Sequence, residues 1–392
     1  INDAALRIIR TILAFDKDHK EYDMSVVGCA EHIAVAKEVA EKAITLIKND
    51  GVLPLKREET KKLALIGKLA NTAIIGDHGS SWVRPLYVVT PEDGLKKANA
   101  DCEVIFDDGS DLERAKKLAA ESDAVVFVVG YNYDDEGEFV SGDQASNYTG
   151  AMGGDRKVSL GLHEDEIKLL QEVGPVNTKS AAVLVGGNMI MMTQWYDCIN
   201  SVLMAYYPGM EGGKAVADVL FGKTNPGGKL PFVIPKKKED LPEIDWDAEE
   251  FRYDYYHGYT LLNKSHVKPL YPFGYGLSYT TFTFTGMKAW RDEENLYVSV
   301  ITKNTGKREG SEVVQMYVGA ADSKVKRPEY VLKDFQKIRL DAGAKEVKLV
   351  CPIREMAYFD EGRNEFVAEF SIPYEVYVGT SSLREDLWVR KV

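Results

Sequence analysis

The segment DAVVFVVG (123–130) constrains the fold more than any other. After Asp123 it offers water no polar side chain. Successive side chains of a strand point to opposite faces, so a strand that is apolar throughout must be covered on both. Runs of the same kind recur at KLALIG (62–67), CEVIF (102–106), AAVLVGG (181–187) and SVLMAYY (201–207). Helical patterns separate them: VTPEDGLKKA (89–98), DLERAKKLAAES (111–122), HEDEIKLLQEV (163–173) and GGKAVADVLFG (212–222). In the first of these, Thr90 is placed to cap the helix and Pro91 takes its first position. Buried strands alternating with helices predict a doubly wound α/β sandwich.

The flanks read differently. Residues 4–15 (AALRIIRTILAF) and 31–48 (EHIAVAKEVAEKAITLIK) have apolar positions at helical spacing. In the second, Val35, Val39, Ala43 and Ile47 form one stripe, and Asn49-Asp50-Gly51 reads as its stop. Residues 223–281 hold turn-rich NPGGKLP (225–231), a basic run (236–238) and the tyrosine-rich FRYDYYHGY (251–259), which predicts an extended connector. From 282 onward, segments of period-2 character are separated by Gly, Asn and Asp turns: TFTFTGMKAW, NLYVSVITKN, SEVVQMYVGA, AKEVKLVCPI, NEFVAEFSI and YEVYVGTS. Six or so such strands predict a β-sandwich of the immunoglobulin or fibronectin type III kind. The expected division is therefore 1–29, a leading helical segment; 30–222, the α/β domain; 223–281, the connector; and 282–392, the β-sandwich. The length of 392 residues fits two or three domains, at roughly 150 each.

Charge narrows the partners. With 49 basic and 61 acidic residues the formal charge is −12, which argues against a nucleic acid or an anionic membrane surface as the main partner. No apolar run reaches the roughly 18 residues of a membrane span. Four scattered cysteines (29, 102, 198 and 351), with no CxxC spacing, exclude a disulfide scaffold and a cysteine zinc site. They read as reduced. With no visible signal peptide, they lead to an expectation of a cytoplasmic protein.

No cofactor and no metal is expected. The chain has no GxGxxG after a strand, no Walker loop, no GxSxG elbow and no HExxH, since HEDEI (163–167) lacks the second histidine. One segment stands out. The apolar strand ends in Gly130 and runs into YNYDDEGEF (131–139), with Asp134, Asp135, Glu136 and Glu138 in five residues. Ligands bind in open α/β sheets beyond the carboxyl ends of strands. Crowded carboxylates repel one another, so at least one pKa is expected to rise, as a general acid requires. Tyr131, Tyr133 and Phe139 would suit stacking on a sugar ring. The plainer reading is a solvated acidic loop. A second candidate is GDHGSSWV (76–83), after the strand-like NTAIIG, where small residues and hydroxyls surround one Trp. A tight turn with a packed Trp is its plain alternative. A third, 205–235, reads as architecture around a helix.

These segments, in this order, resemble glycoside hydrolase family 3. The resemblance rests on KEVAEKAITLIKNDGVLPLK (37–56), KLALIGKLAN (62–71), GDHGSSWV followed by VVTPEDGL (88–95), YYPGMEGGKAVADVLFGKTNPGGKLP (206–231) and YPFGYGLSYTTF (271–282). In the C-terminal part it rests on SEVVQMYVG (311–319), KRPEYVLKDFQKIRL (326–340) and YEVYVGTSS (374–382). The family's EG…DR pattern falls on Glu136-Gly137, an insertion (138–153) and GGDR (153–156), which implies Glu136 as the catalytic acid/base. Glu138 is the second choice. Ser80, Ser81 and Trp82 are implied as sugar-site residues by the position of their loop, and Asp155 and Arg156 as braces of the acidic loop.

The family's nucleophile is an Asp in an N-terminal (β/α)8 barrel, and no barrel pattern precedes residue 30. Ile244-Asp245-Trp246 matches the nucleophile motif only superficially. The resemblance thus implies the C-terminal portion or subunit of a retaining, exo-acting β-glycosidase, foremost a β-glucosidase. The leading segment 1–29 would be the helix that follows the barrel. The barrel, on another chain or a removed segment, would be the partner, and the substrate a β-linked glucoside or oligosaccharide. A β-xylosidase and a non-catalytic sugar-binding or scaffold subunit are the alternatives. A nucleotide-binding α/β protein is disfavoured by the missing phosphate loop. A dimer is implied by the family alone.

Overall fold

The computed structural model describes residues 1–392 except 22, 77–81, 138–158, 246–247 and 253. In the α/β domain the strands are β1 (Thr45–Asn49), β2 (Lys62–Ile66), β3 (Glu103–Asp107), β4 (Ala124–Gly130), β5 (Ser180–Val185) and β6 (Ser201–Met204). The helices are α1 (Asn2–Asp16), ahead of the domain, and α2 (Ala30–Ala43), α3 (Pro91–Ala98), α4 (Leu112–Ala120), α5 (Tyr133–Glu136), α6 (Glu164–Val173) and α7 (Gly212–Leu220). The six strands form one sheet in the order β1-β6-β5-β4-β2-β3, parallel except for β1, which runs antiparallel to β6.

Burial follows the alternation that the sequence implies. Every residue of β4 is buried. Ala124, Val126 and Val128 join Leu95 of α3 and Ala215, Val216 and Val219 of α7 on one side of the sheet. Val125, Phe127 and Val129 join Ala115 and Ala119 of α4 and Leu169, Leu170 and Val173 of α6 on the other. Each such valine or phenylalanine contributes about 1.5–3 kcal/mol by leaving water, which is why the central strand tolerates no polar position. Thr90 caps α3, its hydroxyl accepting from the Asp93 amide at 3.2 Å.

Three local expectations are corrected. The helix read over 31–48 stops at Ala43, and Ile44 starts the extended chain of β1. The β-branched run Ile44-Thr45 and the apolar Leu46-Ile47 are wholly buried and prefer the sheet edge, whereas EVAEKA favours helix. Asn49-Asp50-Gly51 therefore ends a strand. The stripe breaks accordingly, because Val35 and Val39 are more than half exposed while Ile47 belongs to β1. NTAIIG is not a strand: a short 3-10 turn, Lys68–Asn71, leads into irregular chain with Ile74 buried. Helix α1 forms where its pattern predicts, and none of its residues is buried.

The connecting chain after α7 includes α8 (Gly258–Lys264) and lies against the sheet. The Leu230 amide donates to Tyr275 O at 2.8 Å, and Leu230, Ile234 and Tyr271 enter the α6-side core. The C-terminal strands are β7 (Phe282–Arg291), β8 (Asn295–Asn304), β9 (Gly310–Gly319), β10 (Val331–Leu340), β11 (Gly343–Pro352), β12 (Tyr358–Asp360), β13 (Glu365–Val367), β14 (Glu375–Gly379) and β15 (Leu387–Lys391). They form a four-stranded sheet, β10-β9-β14-β15, facing a three-stranded one, β11-β8-β7, with β12 and β13 as a separate hairpin. The segment NEFVAEFSI, read as one strand, pairs only over Glu365–Val367. Lys229 and Glu312, 2.6 Å apart and little exposed, join the connector to the sandwich.

Helices α3 and α7 cross at a contact of backbone on backbone. A Cβ on Gly94 would overlap the Gly213 carbonyl, and one on Gly213 would overlap the Thr90 carbonyl. Gly213→Ala is therefore expected to lower unfolding free energy by about 2 kcal/mol or more, measured by urea denaturation followed by circular dichroism. An unchanged midpoint would mean that this crossing is looser than described.

Candidate active site

Strands β2 and β4 are neighbours, but the chain proceeds from β2 outward to β3 and from β4 the opposite way to β5 and β6. Their carboxyl ends therefore flank the topological switch point where α/β sheets bind ligands. The loop after β2 holds Trp82, and the loop after β4 holds the acidic turn. The two segments singled out in the sequence thus leave the sheet at one edge, from adjacent parallel strands.

The turn begins with close backbone approach. Gly130 has φ +134°, and a Cβ there would overlap the Val185 carbonyl, so the position requires glycine. The Tyr131 amide then donates to that same carbonyl at 2.9 Å. Asn132 caps the four-residue α5: its Oδ1 accepts from the Asp134 amide at 2.8 Å, and its own amide donates to Asp135 Oδ2 at 3.1 Å. The other oxygen of Asp135 lies 3.0 Å from His163 Nε2, at the start of α6.

Glu136, half-buried at the end of α5, is turned toward the loops after β5 and β6. Its Oε2 accepts from the Gly187 amide at 2.6 Å and from the Tyr207 hydroxyl at 2.6 Å. A Cβ on Gly187 would stand 3.1 Å from the Tyr207 ring and 3.3 Å from that oxygen, so the glycine leaves both groups room close to the backbone. Tyr206 takes a left-handed backbone, φ 56°, with its ring against Phe232 on one side of the sheet, and Tyr207 packs on the other side. Two donors on one oxygen fix the orientation of the carboxyl group as a rotamer alone would not.

The remaining sequence candidates divide. Glu138, Ser80, Ser81, Phe139, Asp155 and Arg156 lie outside the described residues. Trp82 is 39% exposed, with the Arg84 guanidinium 4.2 Å from its ring centre. Tyr131 is not available for stacking on a sugar: it is buried, its hydroxyl donates to the Gly161 carbonyl, and its ring lies 5.0 Å from that of His163. The carboxyl that burial lifts, to about 7, belongs to Glu166 on α6. Desolvation under the turn raises it, and crowding within the turn has no part in that.

Sequence reasoning missed Tyr207, which it assigned to architecture, and Gly187 and Glu166, which it passed over. The glycine pair after β5 was a usable signal for close approach to a strand end. A cavity of about 710 Å³ opens beside Asn188 and Met189, lined by Phe232, Leu241, Tyr255 and Tyr259. Glu136 does not line it, so this mainly apolar space is distinct from the carboxylate site. Among the described residues no group of three His, Cys, Asp or Glu is placed to hold a metal ion, and no helix is long and apolar enough to cross a membrane.

The model of the glycosyl hydrolase family 3 C-terminal domain matches residues 44–279, more than half of the chain. The chain belongs to glycosyl hydrolase family 3. A fibronectin type III-like domain model matches residues 312–382, within the β-sandwich. A beta-glucosidase of Bacteroides ovatus is 32% identical, over 97% of this chain and 54% of its own length. A beta-xylosidase of Formosa agariphila is 32% identical, over 95% of this chain and 52% of its own. The crystal structure of a Bifidobacterium adolescentis family 3 beta-glucosidase superposes with a TM-score of 0.80 at 29% identity, covering 99% of this chain and 56% of that one. The chain thus spans about half the length of the curated relatives it matches. The family's α/β sandwich and its fibronectin-like partner are the architecture described above.

Proposed function

We propose that this chain supplies the general acid/base of a retaining, exo-acting β-glycosidase acting on terminal β-linked glucose. Glu136 is the acid/base, and the nucleophilic Asp comes from a (β/α)8 barrel on another chain or on a segment beyond this sequence. The observation that carries the reading is the seat of Glu136: one carboxylate oxygen held by the Gly187 amide and the Tyr207 hydroxyl, each at 2.6 Å, at the switch point of the sheet.

Retaining glycosidases hold two carboxyl groups about 5–5.5 Å apart. In the first step the barrel Asp attacks the anomeric carbon while Glu136 gives its proton to the departing glycosidic oxygen. In the second, Glu136 takes a proton from water, and the hydroxide so generated displaces the Asp. The two donors on Oε2 hold the carboxyl group in one orientation through both steps. Tyr207 and Gly187 stabilise the negative charge that Glu136 acquires midway through the cycle. Ser80, Ser81 and Trp82, which follow β2 in the chain, are the proposed contacts to the sugar. Glucose is favoured over xylose by the beta-glucosidase relative, and the similar identity to a beta-xylosidase makes the xyloside the comparison substrate.

Purified alone, the chain is expected to show no turnover of an aryl β-glucoside, and to gain it when mixed with the barrel polypeptide. Robust hydrolysis by the single chain would refute the divided site. In the assembled enzyme, Glu136→Gln is expected to slow cleavage of an unactivated β-glucoside by about 10²–10⁴-fold while sparing the first step on a good leaving group. Finding that signature in Glu138→Gln instead would move the acid/base by two residues. Tyr207→Phe, which removes one donor to Oε2, is expected to lower kcat/KM by about tenfold. Steady-state kinetics on paired leaving groups reads both variants.

A further inference from the structure

Glu166 has no place in the chemistry above, yet among the described residues it is the most deeply set carboxyl near the acidic turn. It lies in the first turn of α6, and its Oε1 accepts from the Gly130 amide at 3.0 Å, at the point where the chain leaves β4. Among the described residues its Oε2 is buried with no hydrogen-bond partner. The same helix end grips the turn a second time through His163, with Nε2 3.0 Å from Asp135 and its ring packed on Tyr131. Just before the helix, the Gly161 carbonyl takes the Tyr131 hydroxyl.

We propose that Glu166 is a positioning residue, which clamps the base of the Glu136-bearing turn to helix α6 by holding the Gly130 amide. The proposal rests on the reading of Glu136 as acid/base and extends it to the part that holds Glu136 in place. Glu166 serves in its neutral form. An ionised carboxylate here would strand one charged oxygen without a donor, a far larger cost than a neutral oxygen in the same place. Burial raises its pKa to about 7, against the opposing pull of the Gly130 amide and, next, of the His163 side chain. Among the described residues the other charged groups nearby are His163, with Asp135 of the turn 3.0 Å from it, Asp165, which acts to raise it, and Lys68, which is 2.8 Å from Asp165. Opening the turn would return Glu166 to water and to the ordinary glutamate range. The closed state therefore binds the proton more tightly than the open one, and raising the pH from about 5 to above 7 favours opening.

Hydrogen exchange on the full chain, read by mass spectrometry over residues 131–137 and corrected for intrinsic rates, tests this without requiring catalysis. The wild-type chain should lose at least about tenfold of its protection between pH 5 and pH 8. Glu166→Gln keeps an oxygen for the Gly130 amide and cannot ionise, so the segment should stay protected at both pH values. Glu166→Ala should leave it unprotected at both. Wild-type-like protection in Glu166→Ala, or wild-type pH dependence in Glu166→Gln, would overturn the clamp. If Glu166→Ala fails to fold, the pH response of Glu166→Gln decides alone. A clamp supported by exchange while Glu136→Gln remains active would leave the clamp standing and remove only the catalytic assignment.

Discussion

Everything at the candidate site depends on two neighbouring strands ending where backbone can touch backbone. Gly130 and Val185 pair in register at the carboxyl ends of β4 and β5, and no residue with a Cβ fits at position 130. That contact turns the chain out of the sheet, so that within six residues Glu136 comes back over the next strand end and meets the Gly187 amide. Without the glycine the strand ends would separate, and the carboxylate would lose its amide donor before any question of chemistry arose. The buried valines of β4 serve the same end: they make the platform from which the turn departs too rigid to absorb a shift.

The site is consequently assembled from the sheet outward. Loops after β2, β4, β5 and β6 share one edge because those four strands are mutually parallel. The loop after β4 brings the carboxyl group, and the loops after β5 and β6 bring its donors. Helix α6 lies beneath and ties the base of the acidic turn with His163 and Glu166. In this division the orientation of the Glu136 carboxylate is held by two neutral donors, the Gly187 amide and the Tyr207 hydroxyl.

Much of the fold was legible in the sequence, for a physical reason. A strand such as 124–130, apolar at every position, has one stable placement, and Thr90-Pro91 can hardly be anything but a helix start. The boundary at Ala43–Thr45 was not legible, because a strong helix former runs into a β-branched strand with no glycine or proline between them. The acidic turn was visible as a concentration of carboxylates after a strand. Its seat was hidden: Gly187 stands 51 residues from Glu136 and Tyr207 stands 71. Only the stacking order of β4, β5 and β6 brings them together. Glu166 was hidden differently. In an amphipathic helix beginning HEDE, one glutamate looks like the next until the sheet above buries one of them.

The measurement that bears most directly on this account is a crystal structure of the chain together with the proposed barrel, trapped with a 2-deoxy-2-fluoro-glucoside. The account predicts the sugar esterified to an aspartate of the barrel, with the Glu136 carboxyl about 5–5.5 Å from that aspartate across the anomeric carbon and still bound by Gly187 and Tyr207. A trapped sugar lying well beyond hydrogen-bonding reach of Glu136, with another acid in its place, would contradict it.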